Sequence, residues 1–234
     1  MTGHNGALGL LIGAAVGTLF LAPAHGSAQD SRPDPCAGVS YESPLVELTR
    51  CAEQGFGSAQ YFLGAVYGNG YGVPKDLGET LRWFRLAAEQ GLYGAQFNLG
   101  QMYETGDGVP EDDVEAVHWF GLAAGQGYAP AQSVLGMMYD NGRGVSEDDA
   151  EAVRWFRLAA EQGNGSAQYN LGVMYINGGG VPKDRVLALM WCLLSASQGN
   201  ETARSRKESF EQGMTREQIT EAQERALAWI RARR

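Results

Sequence analysis

Ala-Gln recurs at 59–60, 95–96, 131–132 and 167–168, a step of 36 residues each time. The same step carries Gly64, Gly100, Gly136 and Gly172, then Tyr67, Tyr103, Tyr139 and Tyr175. Gly72-Val73, Gly108-Val109, Gly144-Val145 and Gly180-Val181 follow it, as do Asp76, Asp112, Asp148 and Asp184. Trp83, Trp119, Trp155 and Trp191 complete the set with Gly91, Gly127, Gly163 and Gly199. No insertion interrupts the four copies. A fixed period in this range marks a repeat array, in which one unit cannot bury its own apolar face and neighbours finish the core. The period also explains 33 glycines in 234 residues, about twice the ordinary share.

Each copy reads as two helices. In the first, Ala59, Leu63 and Tyr67 fall at i, i+4 and i+8 with Gly64 beside them, which makes one buried stripe. Glycine within a helix costs ~1 kcal/mol against alanine. Four at one register therefore need a steric reason, and close approach of the partner helix supplies one. Asn69-Gly70-Tyr71-Gly72-Val73-Pro74 ends the helix with glycines free to take positive φ. The second helix opens on Asp76 with Glu79 three residues on, a capping-box spacing repeated at Asp112/Glu115 and Asp148/Glu151 but broken at Asp184/Leu187. Thr80, Trp83, Phe84, Ala87 and Ala88 form its buried face. Gly91 follows where a left-handed residue closes a helix.

This pattern closely resembles the Sel-one-like repeat family, relatives of the tetratricopeptide repeat with a longer loop inside each helix pair. The residues that carry the resemblance are Ala59-Gln60, Leu63-Gly64, Tyr67, Gly70-Tyr71-Gly72-Val73-Pro74-Lys75-Asp76, Trp83 and Ala87-Ala88-Glu89-Gln90-Gly91. Departures are small: Thr80 and Ser195 stand where the family has Ala, and Ser146 where it has Pro. The resemblance implies an all-α, right-handed superhelical solenoid of antiparallel helix pairs that binds other proteins, and it specifies no reaction. Four full repeats start near 57, 93, 129 and 165 within a solenoid over 44–213, with half-repeat caps. Leu45 to Gln54 matches only a second helix, and Thr202 to Gln212 resembles a first helix without its loop. Thr215 with Gln218 opens a C-terminal capping helix in 214–234.

Ahead of the repeats, Ala7 to Ala22 is an uncharged apolar run of 16 residues. A bilayer span needs roughly 20. Small residues at Ala22-Pro23-Ala24 and Gly26-Ser27-Ala28 fit signal-peptidase cleavage, which divides the region into a signal peptide, 1–28, and an N-terminal arm, 29–43. An uncleaved membrane anchor is the alternative. Export places the chain in the periplasm or outside the cell. Cleavage would also remove His4 and His25 and leave His118 alone, too little for a histidine-built zinc site. Cys36 and Cys51, 15 apart, are then expected to pair and to clip the arm onto the first helix. Such a loop is worth about 3 kcal/mol. Two free thiols are the alternative. Cys192 aligns with Phe84, Phe120 and Phe156 and reads as a buried thiol.

The net charge of −9 argues against nucleic-acid binding. Charge is uneven: Asp30 to Asn200 holds 10 basic and 21 acidic residues, whereas the segment from Glu201 holds 8 and 6. Glu111-Asp112-Asp113 and Glu147-Asp148-Asp149 read as favourable charge at helix N-termini, with a docking strip for a basic partner or Ca²⁺ as the alternative, although no Ca²⁺-loop spacing is present. No cofactor or metal is expected, and no catalytic residue is assigned: Ser-x-x-Lys is absent, and His118 aligns with Arg82, Arg154 and Met190 at a variable surface position.

In tetratricopeptide-like solenoids the first helix of each pair lines the concave face. That likeness implies a groove formed by Tyr61, Phe97, Ser133 and Tyr169, by Ala65, Gln101, Met137 and Val173, and by Gly68, Glu104, Asp140 and Ile176. Tyr61, Phe97, Gln101, Glu104, Met137, Asp140 and Tyr169 are its candidate partner-binding residues, for an extended peptide or a partner helix. Packing of some aromatics between repeats is the competing reading. The expected function is an exported monomeric adaptor or regulator at the cell envelope. A cell-wall or β-lactam-binding protein with weak hydrolase activity and a scaffold of a secretion complex are the alternatives.

Overall fold

The computed structural model describes Cys36 and residues 38–233. The expected signal peptide and most of the arm lie outside the described residues. Eleven helices and no strand are found among those described. They fall into two compact units, one ending at Asn98 and one running from Leu99.

The first unit contains α1 (Leu45–Glu53), α2 (Gly57–Asn69), α3 (Leu77–Glu89) and the start of α4 (Tyr93–Thr105). Asp76 opens α3 with an extended backbone, and its carboxylate accepts from the Gly78 and Glu79 amides. This cap answers two of the amide donors a helix start leaves without partners. Thr80, Trp83, Phe84, Ala87 and Ala88 are the buried residues of α3, the stripe its spacing predicts. At Gly64 a Cβ would stand 2.7 Å from Cδ1 of Phe84. The glycine therefore makes room for the Phe84 ring against its helix, which is more specific than the general close approach expected from sequence. The Cys36–Cys51 disulfide is present, with Cα atoms 5.8 Å apart and both cysteines buried.

The second unit holds the rest of α4, then α5 (Asp113–Gly125), α6 (Ala129–Asn141), α7 (Asp149–Glu161), α8 (Gly165–Asn177) and α9 (Arg185–Ser197), closed by α10 (Glu201–Glu211) and α11 (Arg216–Arg231). Asp112, Asp148 and Asp184 cap α5, α7 and α9 as Asp76 caps α3. Phe120 lies against Gly100 and Phe156 against Gly136, with Cβ positions 2.8 and 2.6 Å from the rings. In the last repeat Cys192 occupies the phenylalanine position, and Phe210 of α10 comes within 3.2 Å of the Cβ position of Gly172. The closing helix thus supplies the ring its neighbour lacks. Helix α9 is buried at Leu189, Met190, Trp191, Cys192 and Leu194 because both α10 and α11 pack on it. Met190 accordingly stands where the exposed Arg154 stands in α7.

One expectation is corrected in detail. The Asp-x-x-Glu spacing predicts reciprocal capping boxes, yet Glu79 and Glu151 reach onward to Arg82 and Arg154 at 3.1 and 2.9 Å. The guanidinium one turn ahead takes up those two carboxylates, while Glu115, with His118 at that position, does not close the box either. Thr215 and Gln218, with no such competitor, form the full box at the start of α11.

The glutamine of each Ala-Gln pair also has a structural task. Gln60 and Gln96 donate to the Ala52 and Ala88 carbonyls in the first unit, and Gln132 and Gln168 donate to Ala124 and Ala160 in the second, all at 3.1 Å. Each adds a second bond to a carbonyl at the end of the preceding helix that already accepts from the Gly55, Gly91, Gly127 or Gly163 amide. Gln90 and Gln162 then donate to the Gln60 and Gln132 side-chain oxygens at 2.7 and 2.8 Å.

Candidate functional site

The residue one past each Ala-Gln pair does not form an open aromatic floor. Phe97 is 7% exposed and Ser133 is 4% exposed. The half-buried Tyr61 ring lies 5.5 Å from Phe62 and 5.7 Å from Phe84, with Gly94 on its other side. Burial pushes the Tyr61 phenol above its ordinary range, against a smaller opposing effect of its hydrogen bond to Asn98. Tyr169 packs its ring 6.1 Å from Phe210. Groove-facing roles for Tyr61 and Phe97 are therefore corrected: this register serves packing. The physical reason is that a first helix has neighbours on both flanks, so a position beside its buried stripe is still covered. Ala65 and Gly68 are buried too, so the first repeat presents little of the expected strip.

The second unit does present one. Gln101 and Glu104 of α4, Asp140 of α6, and Val173 and Ile176 of α8 are half-buried, and Met137 is 38% exposed. α6 touches α8 directly, first helix to first helix, so the strip continues from one repeat to the next. The Gln101 side-chain oxygen is buried without a hydrogen-bond partner.

Electrostatics add a group that the sequence reading did not single out. Arg143, in the loop after α6, donates to Glu104 at 2.9 Å and to Asp113 at 2.6 Å. A second bond from its Nε to the Asp113 carboxylate, at 3.3 Å, makes that contact a two-pronged one. The available signal was that Arg143 is the only basic residue between Arg85 and Arg154. The acidic runs also divide their labour: Asp112 and Asp148 cap helices, whereas Asp113 holds Arg143. Asp140 has no such partner. Burial first, then the charges of Asp149 and Glu147, hold its carboxyl above the usual range.

No reactive constellation accompanies the strip. His118 is exposed, its ring set edge-on to Trp119 at 5.1 Å. Cys192 is a buried free thiol whose pKa is pushed up to about 11, chiefly by burial. Among the described residues no group of three or more His, Cys, Asp or Glu side chains could hold a metal ion.

Antiparallel helix pairs repeated at this period define an all-α solenoid. The Sel1 repeat profile matches residues 57–92, 94–128, 129–164 and 165–200, and the chain belongs to the Sel1 repeat family. Sel1 repeat proteins generally mediate protein–protein interactions. Among solved structures, the chain is similar to c5321, a protective antigen present in uropathogenic Escherichia coli strains and displaying an SLR fold. Identity is 46% and the TM-score 0.68, over 69% of this chain and 35% of that one. It is also similar to a Sel1 repeat protein from Oxalobacter formigenes, at 39% identity and a TM-score of 0.65, over 70% of this chain and 48% of the other. The likeness thus spans about a third and about half of those two chains. No curated protein matches the chain.

Proposed function

We propose that this protein is an exported adaptor or regulator that binds a protein or peptide partner along the first-helix strip of its second unit. The observation that carries the reading is the exposed Met137 set beside the half-buried, unpaired Asp140 at a register where the first repeat is closed by Ala65 and Gly68. Apolar contact area beside a few polar groups suits a bound helix or extended segment. Gln101 and Glu104 extend the strip on the preceding first helix. Export is supported by the buried Cys36–Cys51 disulfide, a bond that persists in oxidising compartments. Among the described residues no helix is long and apolar enough to cross a membrane.

The test is in-cell photo-crosslinking with a benzophenone side chain at Met137 and, in a parallel strain, at Leu158 on a second helix. The two positions are equally exposed, at 38%. One defined partner, crosslinked at 137 and not at 158, is expected. Crosslinks at 158 alone would remove the reading.

A further inference from the structure

Two consecutive repeats of the second unit set the same three positions around the loop that follows a first helix. In one, Arg143 bridges Glu104 and Asp113. Thirty-six residues on, Asp140 stands in the place of Glu104, Asp149 in that of Asp113, and Gly179 in that of Arg143. The backbone frame is retained. Gly144 lies against the Asp113 carbonyl so closely that no Cβ would fit, and Gly180 lies in the same way against the Asp149 carbonyl. The two acceptors are therefore preserved while the donor has been deleted.

We propose that Asp140 and Asp149 form a receptor for an arginine side chain of a protein partner, filling the place that Arg143 fills within the chain one repeat earlier. The guanidinium already held at this register, rather than the acidity alone, identifies the ligand. Neither carboxylate has a cation partner among the described residues. The Asp149 carboxylate leans over Gly179, where a Cβ would stand 2.9 Å from its Oδ2, so the two acidic side chains and the donor position of the earlier repeat are brought together here as well. Asp140 is held above the usual carboxyl range by burial and by the charges of Asp149 and Glu147, and a bound cation would relieve that repulsion. Arginine suits the site better than lysine because its planar fork spans two carboxylates, as Arg143 does. Met137, one turn before Asp140 on the same face, offers apolar contact to the residues beside that arginine. The inference rests on the first-helix reading and specifies its partner's chemistry.

The experiment titrates the isotope-labelled full chain with N-acetyl-arginine-N-methylamide while following the Asp140, Asp149 and Gly179 amide resonances. Saturable shifts are expected for the wild type, with weaker binding of the lysine counterpart. Asp140→Asn combined with Asp149→Asn should weaken the arginine probe at least tenfold. Gly179→Arg should do the same, because its own side chain occupies the receptor; Gly179 has no positive φ to forbid a side chain. That variant should melt no lower than the wild type. A lower melting temperature would contradict the equivalence of the two repeats, and the paired Asn variant then decides binding by itself. Unsaturable shifts, equal shifts in the variants, or the same response to calcium chloride would overturn the proposal. Failure here leaves crosslinking at Met137 intact, whereas loss of that crosslink with a saturating probe would remove the partner reading and keep the receptor.

Discussion

Replacing Gly136 with alanine puts the stacking of phenylalanine on glycine to a quantitative test. The added methyl would stand 2.6, 2.7 and 3.1 Å from Cδ1, Cε1 and Cγ of Phe156. Carbon atoms in comfortable contact are about 3.5–4.0 Å apart, so the overlap is roughly 1 Å. Phe156 is fully buried at 0% exposure and has little room to retreat. Overpacking of this kind costs about 1–3 kcal/mol. Alanine returns ~1 kcal/mol through its better helix propensity. Gly121 provides the matched control: it lies in α5 with nothing within 4 Å of its Cβ position and no positive φ. Gly121→Ala should gain the propensity term alone and become more stable. The two alanine variants should then differ by about 1–3 kcal/mol in urea unfolding followed by circular dichroism, with unchanged slope. Adding Phe156→Leu should cost less in the Gly136→Ala background than in the wild type, since it relieves the overlap. A Gly136→Ala protein as stable as Gly121→Ala would refute the reasoning.

Replacing both Cys36 and Cys51 with serine should destabilise the first unit by about 3 kcal/mol, the value for a closed loop of 15 residues, and the loss should match the effect of a reductant on the wild-type unfolding midpoint. Cys192 should resist an aromatic disulfide reagent at pH 8 until the protein unfolds, and because its folded pKa is raised to about 11, stability should fall as pH climbs from the ordinary thiol value of about 8.5 towards that figure. Asp140→Asn should raise the melting temperature at pH 7, with the gain vanishing as pH drops below the ordinary carboxyl value, because a raised folded pKa favours the protonated form. Gln132→Met keeps the volume and removes one of the bonds to the buried Ala124 carbonyl, which retains the one from the Gly127 amide, for a loss of about 0.5–1.5 kcal/mol in chemical unfolding.

Local features were legible where a residue's task is settled within its own repeat. Asp76, Asp112, Asp148 and Asp184 cap helices in the structure as their spacing predicts, and Gly91, Gly127, Gly163 and Gly199 take positive φ at helix ends. The buried stripe of α3 follows directly from the helical period. The conserved register of a residue type did not reveal tasks that reach into the next unit. Gln60 marks the period, but its bond to Ala52 crosses to another helix. Phe210 supplies a ring for Gly172 although its own helix lacks the repeat pattern, so no alignment of copies would locate it. Tyr61 and Phe97 resemble a binding face on a single helix and become packing once both flanks are covered. Arg143 is one residue in one copy, invisible to periodicity, and its role follows only when Glu104 and Asp113 are placed around it.

Binding energetics at matched positions test the assignment of the first-helix strip most directly. With the crosslinked partner purified, calorimetric titration should compare Met137→Arg with Leu158→Arg, which add the same charge at equal exposure on first and second helices. The account predicts at least tenfold weaker binding for Met137→Arg, about 1.4 kcal/mol, and wild-type affinity for Leu158→Arg. Weakening confined to Leu158→Arg would show that the partner uses the second-helix face and would contradict the account.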